Sequence, residues 1–136
     1  MNLLSLRVLT EETRRLVQFY EQVTSVSATW STEDFAELQF PTFTLAIAHK
    51  RTMDLFGAGA AHAADNRSAI IEFLVADVDR EYKQLKEVIH DIVQPPTTQP
   101  WGNRSFLFRD PDGNLINFFT PVTESAIKKF HSYLPR

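Results

Sequence analysis

The side chains best suited to hold a metal ion or act as a nucleophile are scarce in this sequence. It contains no cysteine and four histidines, His49, His62, His90 and His131. Without cysteine there is no thiolate zinc site, iron–sulfur cluster, disulfide scaffold or cysteine nucleophile. No two histidines have the His-x-x-x-His spacing that puts both rings on one face of a helix. Each lies in a stretch that reads as loop, linker, tail or helix end, where a polar residue is ordinarily solvated. His90 in particular sits where a cation suits a helix C-terminus. Two carboxylate pairs have the look of acid–base machinery but read as local chemistry. Asp110-Pro111-Asp112-Gly113 is a tight turn, and Asp77 with Asp79 is a helix cap and a first-turn charge. Trp101, beside Gly102 in a proline-flanked loop, suits either a pocket mouth or a loop anchor packed on the core. Trp30, Phe35 and Phe40 are further aromatics of this kind, with core packing the favoured reading.

The overall charge excludes other partners. With 14 Lys+Arg against 17 Asp+Glu, the 136-residue chain carries a net charge of −3. No basic run marks a nucleic-acid footprint or a polybasic membrane patch. No apolar stretch approaches the ~20 residues of a membrane span. The segment Met1 to Arg7 lacks the charged region, longer apolar run and cleavage site of a signal peptide. The expectation is a cytoplasmic protein with one self-sufficient core rich in aromatics (11 Phe, 3 Tyr, 2 Trp).

The elements that must position these residues fall into two similar series. Leu3 to Leu9 reads as a buried strand. Thr10-Glu11-Glu12-Thr13 has helix-start chemistry, and Leu16, Val17, Phe19, Tyr20 and Val23 recur at helical spacing, giving a helix over 13–23. Phe35 to Phe40 alternates as a strand, Pro41-Thr42 turns, and Phe43 to Ala48 is the next strand. A short helix ending near Gly57 and a small-residue linker follow. The order then repeats. Ala69 to Val75 is a strand, and Asp77 opens a helix carrying Val78, Tyr82, Leu85 and Ile89. Pro95-Pro96 and Pro100 punctuate a loop, and Ser105 to Phe108 and Leu115 to Phe119 flank the Asp110 turn. This is an internal duplication with a spacing of roughly sixty residues. The tail from Thr123 carries Ala126, Ile127, Phe130 and Leu134 at helical spacing.

Three stretches together resemble the vicinal oxygen chelate superfamily of glyoxalases, bleomycin-resistance proteins, fosfomycin-resistance transferases and extradiol dioxygenases. They are Leu6-Arg7-Val8-Leu9-Thr10 running to Phe19-Tyr20-Glu21-Gln22-Val23, then Phe73 to Tyr82, and above all Gln99-Pro100-Trp101-Gly102-Asn103-Arg104 through Asp110-Pro111-Asp112-Gly113-Asn114-Leu115-Ile116. The resemblance covers residues 1 to about 121. It implies an α+β fold of two βαβββ modules whose curled mixed sheets enclose a cavity, and a homodimer. The expected organisation is a single glyoxalase-like domain over 1–121, with module 1 at about 1–55, a linker at about 56–67 and module 2 at about 68–121. A helical tail over 122–136 completes it.

The same resemblance assigns the metal-ligand positions, and here the sequence departs from the family pattern. Those positions hold Leu3, Ile70 and Asn117. Leu3 and Ile70 have no donor atom, and Asn117 offers only a neutral amide oxygen. No metal and no cofactor are therefore expected. Alternation along the strands then implies an inward-facing set. It comprises Leu3, Ser5 and Arg7, then Ile70, Glu72 and Leu74, then Ser105 and Leu107, then Asn117 and Phe119 with Leu115, and Trp101 at the rim. Arg7 and Glu72 are charges in apolar strands, where an unpaired ion would be costly. They either orient a polar ligand, or pair with each other, or in the case of Arg7 reach out to water.

The favoured function is metal-independent binding of a small molecule, a drug or a metabolite, as in bleomycin-resistance proteins, without catalysis. The alternatives are a metal-dependent lyase, dioxygenase or thiol transferase with relocated ligands, or a cofactorless isomerase or lyase with Glu72 as general base. A purely structural protein with a filled cavity is the remaining one.

Overall fold

A computed structural model describes residues 1–134. The chain divides into two compact units, one over 1–66 with 111–113 and one over 67–110 with 114 onward.

In the first unit, β1 (Ser5–Thr10) leads into α1 (Thr13–Thr24), β2 (Thr29–Thr32), β3 (Phe35–Phe40), β4 (Phe43–His49) and a 3-10 helix over Lys50–Leu55. The four strands form one mixed sheet in the order β1-β4-β3-β2. β1 runs parallel to β4, because α1 carries the chain back across the sheet, whereas β3 and β4 form an antiparallel hairpin. The apolar stripe of α1 (Leu16, Val17, Tyr20, Val23) is buried with Ala36, Leu38, Leu45 and Ile47 of the sheet. The helix starts without a side-chain cap at Glu12; the Thr10 hydroxyl instead accepts a hydrogen bond from the Glu12 amide at 3.1 Å. It ends at Ser25, left-handed at φ 58°.

The second unit repeats this plan. β5 (Ile70–Leu74), α2 (Val78–Leu85), β6 (Asp91–Thr98), β7 (Asn103–Arg109) and β8 (Leu115–Pro121) build a sheet in the order β5-β8-β7-β6, with β5 parallel to β8. The expected α+β duplication of βαβββ modules is thus what the two mixed sheets form. Asp77 caps α2 by accepting from the Arg80 amide at 3.2 Å. Beneath α2 lies a phenyl cluster. Tyr82 meets Phe106 edge-on at 5.1 Å, and Phe108 meets Phe118 at 5.0 Å. Each fully buried phenyl contributes roughly 1.5–3 kcal/mol of apolar burial. A last helix, α3 (Glu124–Lys129), and a 3-10 turn over His131–Tyr133 complete the described chain.

Four local expectations need correction. The first strand begins at Ser5, leaving Leu3 outside it and 82% exposed. Trp30 is not core; it stands 39% exposed on β2, a strand with every residue exposed. Pro95 and Pro96 lie within a strand and not a loop. β6 is an edge strand with two register irregularities, so their missing N–H groups leave no ladder bond unmade. Finally, α2 stops at Leu85; Ile89 is buried beyond the helix, its amide bonded to the Leu85 carbonyl at 3.0 Å.

Glycine is required at one functional-looking loop. Gly102 has φ +96°, and a Cβ there would lie 2.0 Å from the Thr123 hydroxyl and 3.0 Å from the Ala126 methyl. Thr123 caps α3 by accepting from the Ala126 amide. The tight loop after Trp101 therefore fits directly against the start of the tail helix.

Candidate functional site

Residues paired across neighbouring strands share a sheet face, so the registers show which expected residues come together. In the second unit Glu72 pairs with Asn117, and Asn117 with Leu107. The next row is Leu74, Phe119 and Ser105, and the row on the other side is Ile70, Leu115 and Arg109. The expected residues of β5, β7 and β8 therefore form one continuous patch on the face opposite α2. Ser105, Asn117 and Phe119 are buried, whereas Ile70 and Glu72 are exposed. Phe130, after α3, packs its ring 5.2 Å from that of Phe119 and closes one end of the patch.

At the centre of the patch Asn117 Nδ2 donates to Glu72 Oε2 at 2.9 Å. An ionised carboxylate only accepts, so this bond fixes which way the amide points. Asn117 Oδ1 is left buried with no hydrogen-bond partner. An acceptor in that condition costs roughly 1–3 kcal/mol. Its neighbour on the other side, Leu107, has no donor to offer.

In the first unit Ser5, Arg7 and Leu9 pair with Thr44, Ala46 and Ala48. The Arg7 guanidinium lies 4.9 Å from the centre of the Phe35 ring and 4.7 Å from that of Phe56. Two exposed cation–π contacts contribute roughly 0.5–1 kcal/mol each. Arg7 and Glu72 are both exposed; Arg7 stands on the two rings, and Glu72 accepts from Asn117. Phe35 shields an arginine where core packing was expected. Phe56 escaped sequence reasoning altogether; its only signal was a lone phenylalanine in a small-residue stretch. Trp101 is 66% exposed in the β6–β7 connection.

The histidines take local roles or none. His49 Nδ1 accepts from the Arg51 amide at 3.1 Å and caps the 3-10 helix, and His62, His90 and His131 are exposed. Among the described residues no three of the His, Asp and Glu side chains gather as a metal group. The positions that the resemblance gives to metal ligands do not fit a metal. Leu3 and Ile70 have no donor, and the amide nitrogen of Asn117 is committed to Glu72.

The strongest ion pairs lie elsewhere and are structural. Arg104 reaches Asp79 through Nε at 2.9 Å and a second nitrogen at 3.0 Å. This bond holds the Asp79 carboxyl below, and the Arg104 guanidinium above, their ordinary ranges. Arg51 lowers Asp34 in the same way. An open groove of about 320 Å³ runs between α1 and β2, lined by Val17, Glu21 and Trp30 among others. None of the expected inward-facing residues borders it.

Comparison with known proteins settles the family. Residues 2–118 match the model of the Glyoxalase/Bleomycin resistance protein/Dioxygenase superfamily. The chain belongs to that superfamily. It is similar to the uncharacterized protein YraH of Bacillus subtilis (strain 168), 26% identical over 128 residues, which cover 88% of this chain and 98% of that protein. Among solved structures, a superfamily enzyme from Burkholderia phytofirmans PsJN superposes with TM-score 0.79 at 14% identity, covering 90% of this chain and 100% of that one. A superfamily member from Nocardioides gives TM-score 0.75 at 19% identity, covering 91% and 85%. These structures share the fold. No helix among the described residues is long and apolar enough to cross a membrane.

Proposed function

We propose that this superfamily member binds a small molecule without a metal, on the sheet face that carries Glu72, Asn117, Leu107, Phe119, Ser105, Leu74 and Ile70. The observation that carries this reading is the state of Asn117. It stands where the family's metal enzymes place a carboxylate ligand, its nitrogen is held by Glu72, and its oxygen is buried without a donor. A fold kept only for stability has no use for such a cost, whereas a ligand donor would recover it. Trp101 of the same unit is the aromatic rim; in the first unit, taken by itself, Arg7, steadied on Phe35 and Phe56 with Ser5 and Leu3 beside it in sequence, is a separate polar handle. On this reading the protein works in the cytoplasm as a homodimer, and its partner is a drug-like or metabolite-sized molecule.

The reading is tested by screening a panel of uncharged aromatic compounds by NMR with EDTA present. Saturable shifts at residues 105–107 and 115–119 are expected, unchanged when Zn²⁺, Mn²⁺, Ni²⁺ or Fe²⁺ replaces the chelator. Binding that appears only with a stoichiometric metal would overturn it.

A further inference from the structure

We infer that the Glu72–Asn117 pair selects ligands bearing a cationic N–H donor head, an amidinium or ammonium on an apolar body. This deepens the small-molecule reading above and rests on it.

Three observations converge. Of the side chains around the pair on this face, Ile70, Leu74, Leu107 and Phe119 are apolar and present surface to a greasy body; the directly paired Leu107 offers no donor, and the donors Ser105 and Arg109 lie diagonally from Asn117 on β7. One of the two N–H donors of the Asn117 amide is spent on Glu72 Oε2, at 2.9 Å. Beside the second N–H of that amide, what the pair still offers is chiefly acceptor, namely the carboxylate of exposed Glu72 and the buried Oδ1 of Asn117. Rotating the amide to present nitrogen outward would set Oδ1 against the carboxylate, so the acceptor character persists while Glu72 is ionised. Asn117 keeps 8% of its surface open.

A flat head with two N–H donors and a positive charge satisfies both acceptors together. A neutral amide can satisfy the acceptors' demand but gains no charge–charge attraction. A carboxylate meets two acceptors, one of them negative, and is repelled. Arg109, one pair further along the same face, marks the limit of the acceptor patch.

Benzamidinium, benzamide and benzoate have nearly the same shape and differ in this head. Each is titrated into the isotope-labelled full chain at pH 7 and constant ionic strength, following the Asn117 side-chain amide and the backbone of residues 70–74 and 105–119. Benzamidinium is expected to bind at least tenfold more tightly than benzamide, with no saturable shift from benzoate. Glu72→Gln should bring benzamidinium down to the benzamide level while leaving the rest of the spectrum folded. Equal binding of benzamidinium and benzamide, or an undiminished benzamidinium affinity in E72Q, overturns the cationic selectivity. If uncharged aromatics still shift the same residues in that case, the small-molecule reading stands alone; if no probe shifts them, both fall.

Discussion

Replacing Asn117 by leucine should make the protein more stable while removing its polar handle. The native residue is 8% exposed, and its Oδ1 has no partner. Removing that acceptor recovers roughly 1–3 kcal/mol. The lost bond to Glu72 works in the opposite direction. Because Glu72 is exposed, water replaces the amide, and the loss is about 0.5–1 kcal/mol, well short of the figure for a sequestered charged bond. Leucine also adds apolar contact beside Leu107 and Phe119. The expected net gain is about 1 kcal/mol, or about 3–4 °C in Tm for a chain of this length. Equilibrium unfolding in urea reads it as a higher midpoint at unchanged slope. A loss of more than about 1 kcal/mol would refute the reasoning, because Asn117 would then be a structural hydrogen-bonding residue and not one held at a cost.

Gly102→Ala should destabilise the fold by about 2–3 kcal/mol, from left-handed strain of ~1–2 kcal/mol and displacement of the Thr123 cap, worth ~1 kcal/mol. In the double variant with Thr123→Ala the hydroxyl is already gone, so the urea midpoints should show a combined cost below the sum of the two; strict additivity would show that the two sites do not meet. The Asp79–Arg104 pair predicts a pH dependence. The bond from Arg104 depresses the folded pKa of Asp79 below its unfolded value, so its stabilisation is complete above about pH 4 and fades as pH falls through the folded value. Asp79→Asn should therefore cost a modest amount at pH 7, under about 1 kcal/mol for so exposed a pair. The gap from the native protein should narrow in acid; a gap that widens below pH 4 reverses the sign and contradicts the assignment.

Much of the fold was legible because its strands and helices carry strong periodicity. Phe35–Phe40 and α1 agree with their expected spans, and the parallel closure of each module follows from the strand–helix–strand order. What escaped the sequence lacks a local signal. β2 is short and fully exposed, with no inward residues to alternate. The double proline of β6 looked like a loop because only the tertiary edge position makes it tolerable in a strand. At the site, the resemblance led to Asn117 and alternation led to Glu72, but the bond between them depends on register across a parallel pair 45 residues apart in sequence. The support of Arg7 by Phe56 is less legible still, since it depends on where an unpatterned segment folds back.

The central claim is that small-molecule binding proceeds through Glu72 and Asn117 without a metal. It is tested most directly by benzamidinium titration of native and N117L protein, each in EDTA and again with one equivalent of Zn²⁺, Mn²⁺, Ni²⁺ or Fe²⁺. Saturable binding by the native chain, equal in chelator and in metal and weakened at least tenfold in N117L, is the predicted result. Binding that requires the metal, or that survives unchanged in N117L, would contradict it.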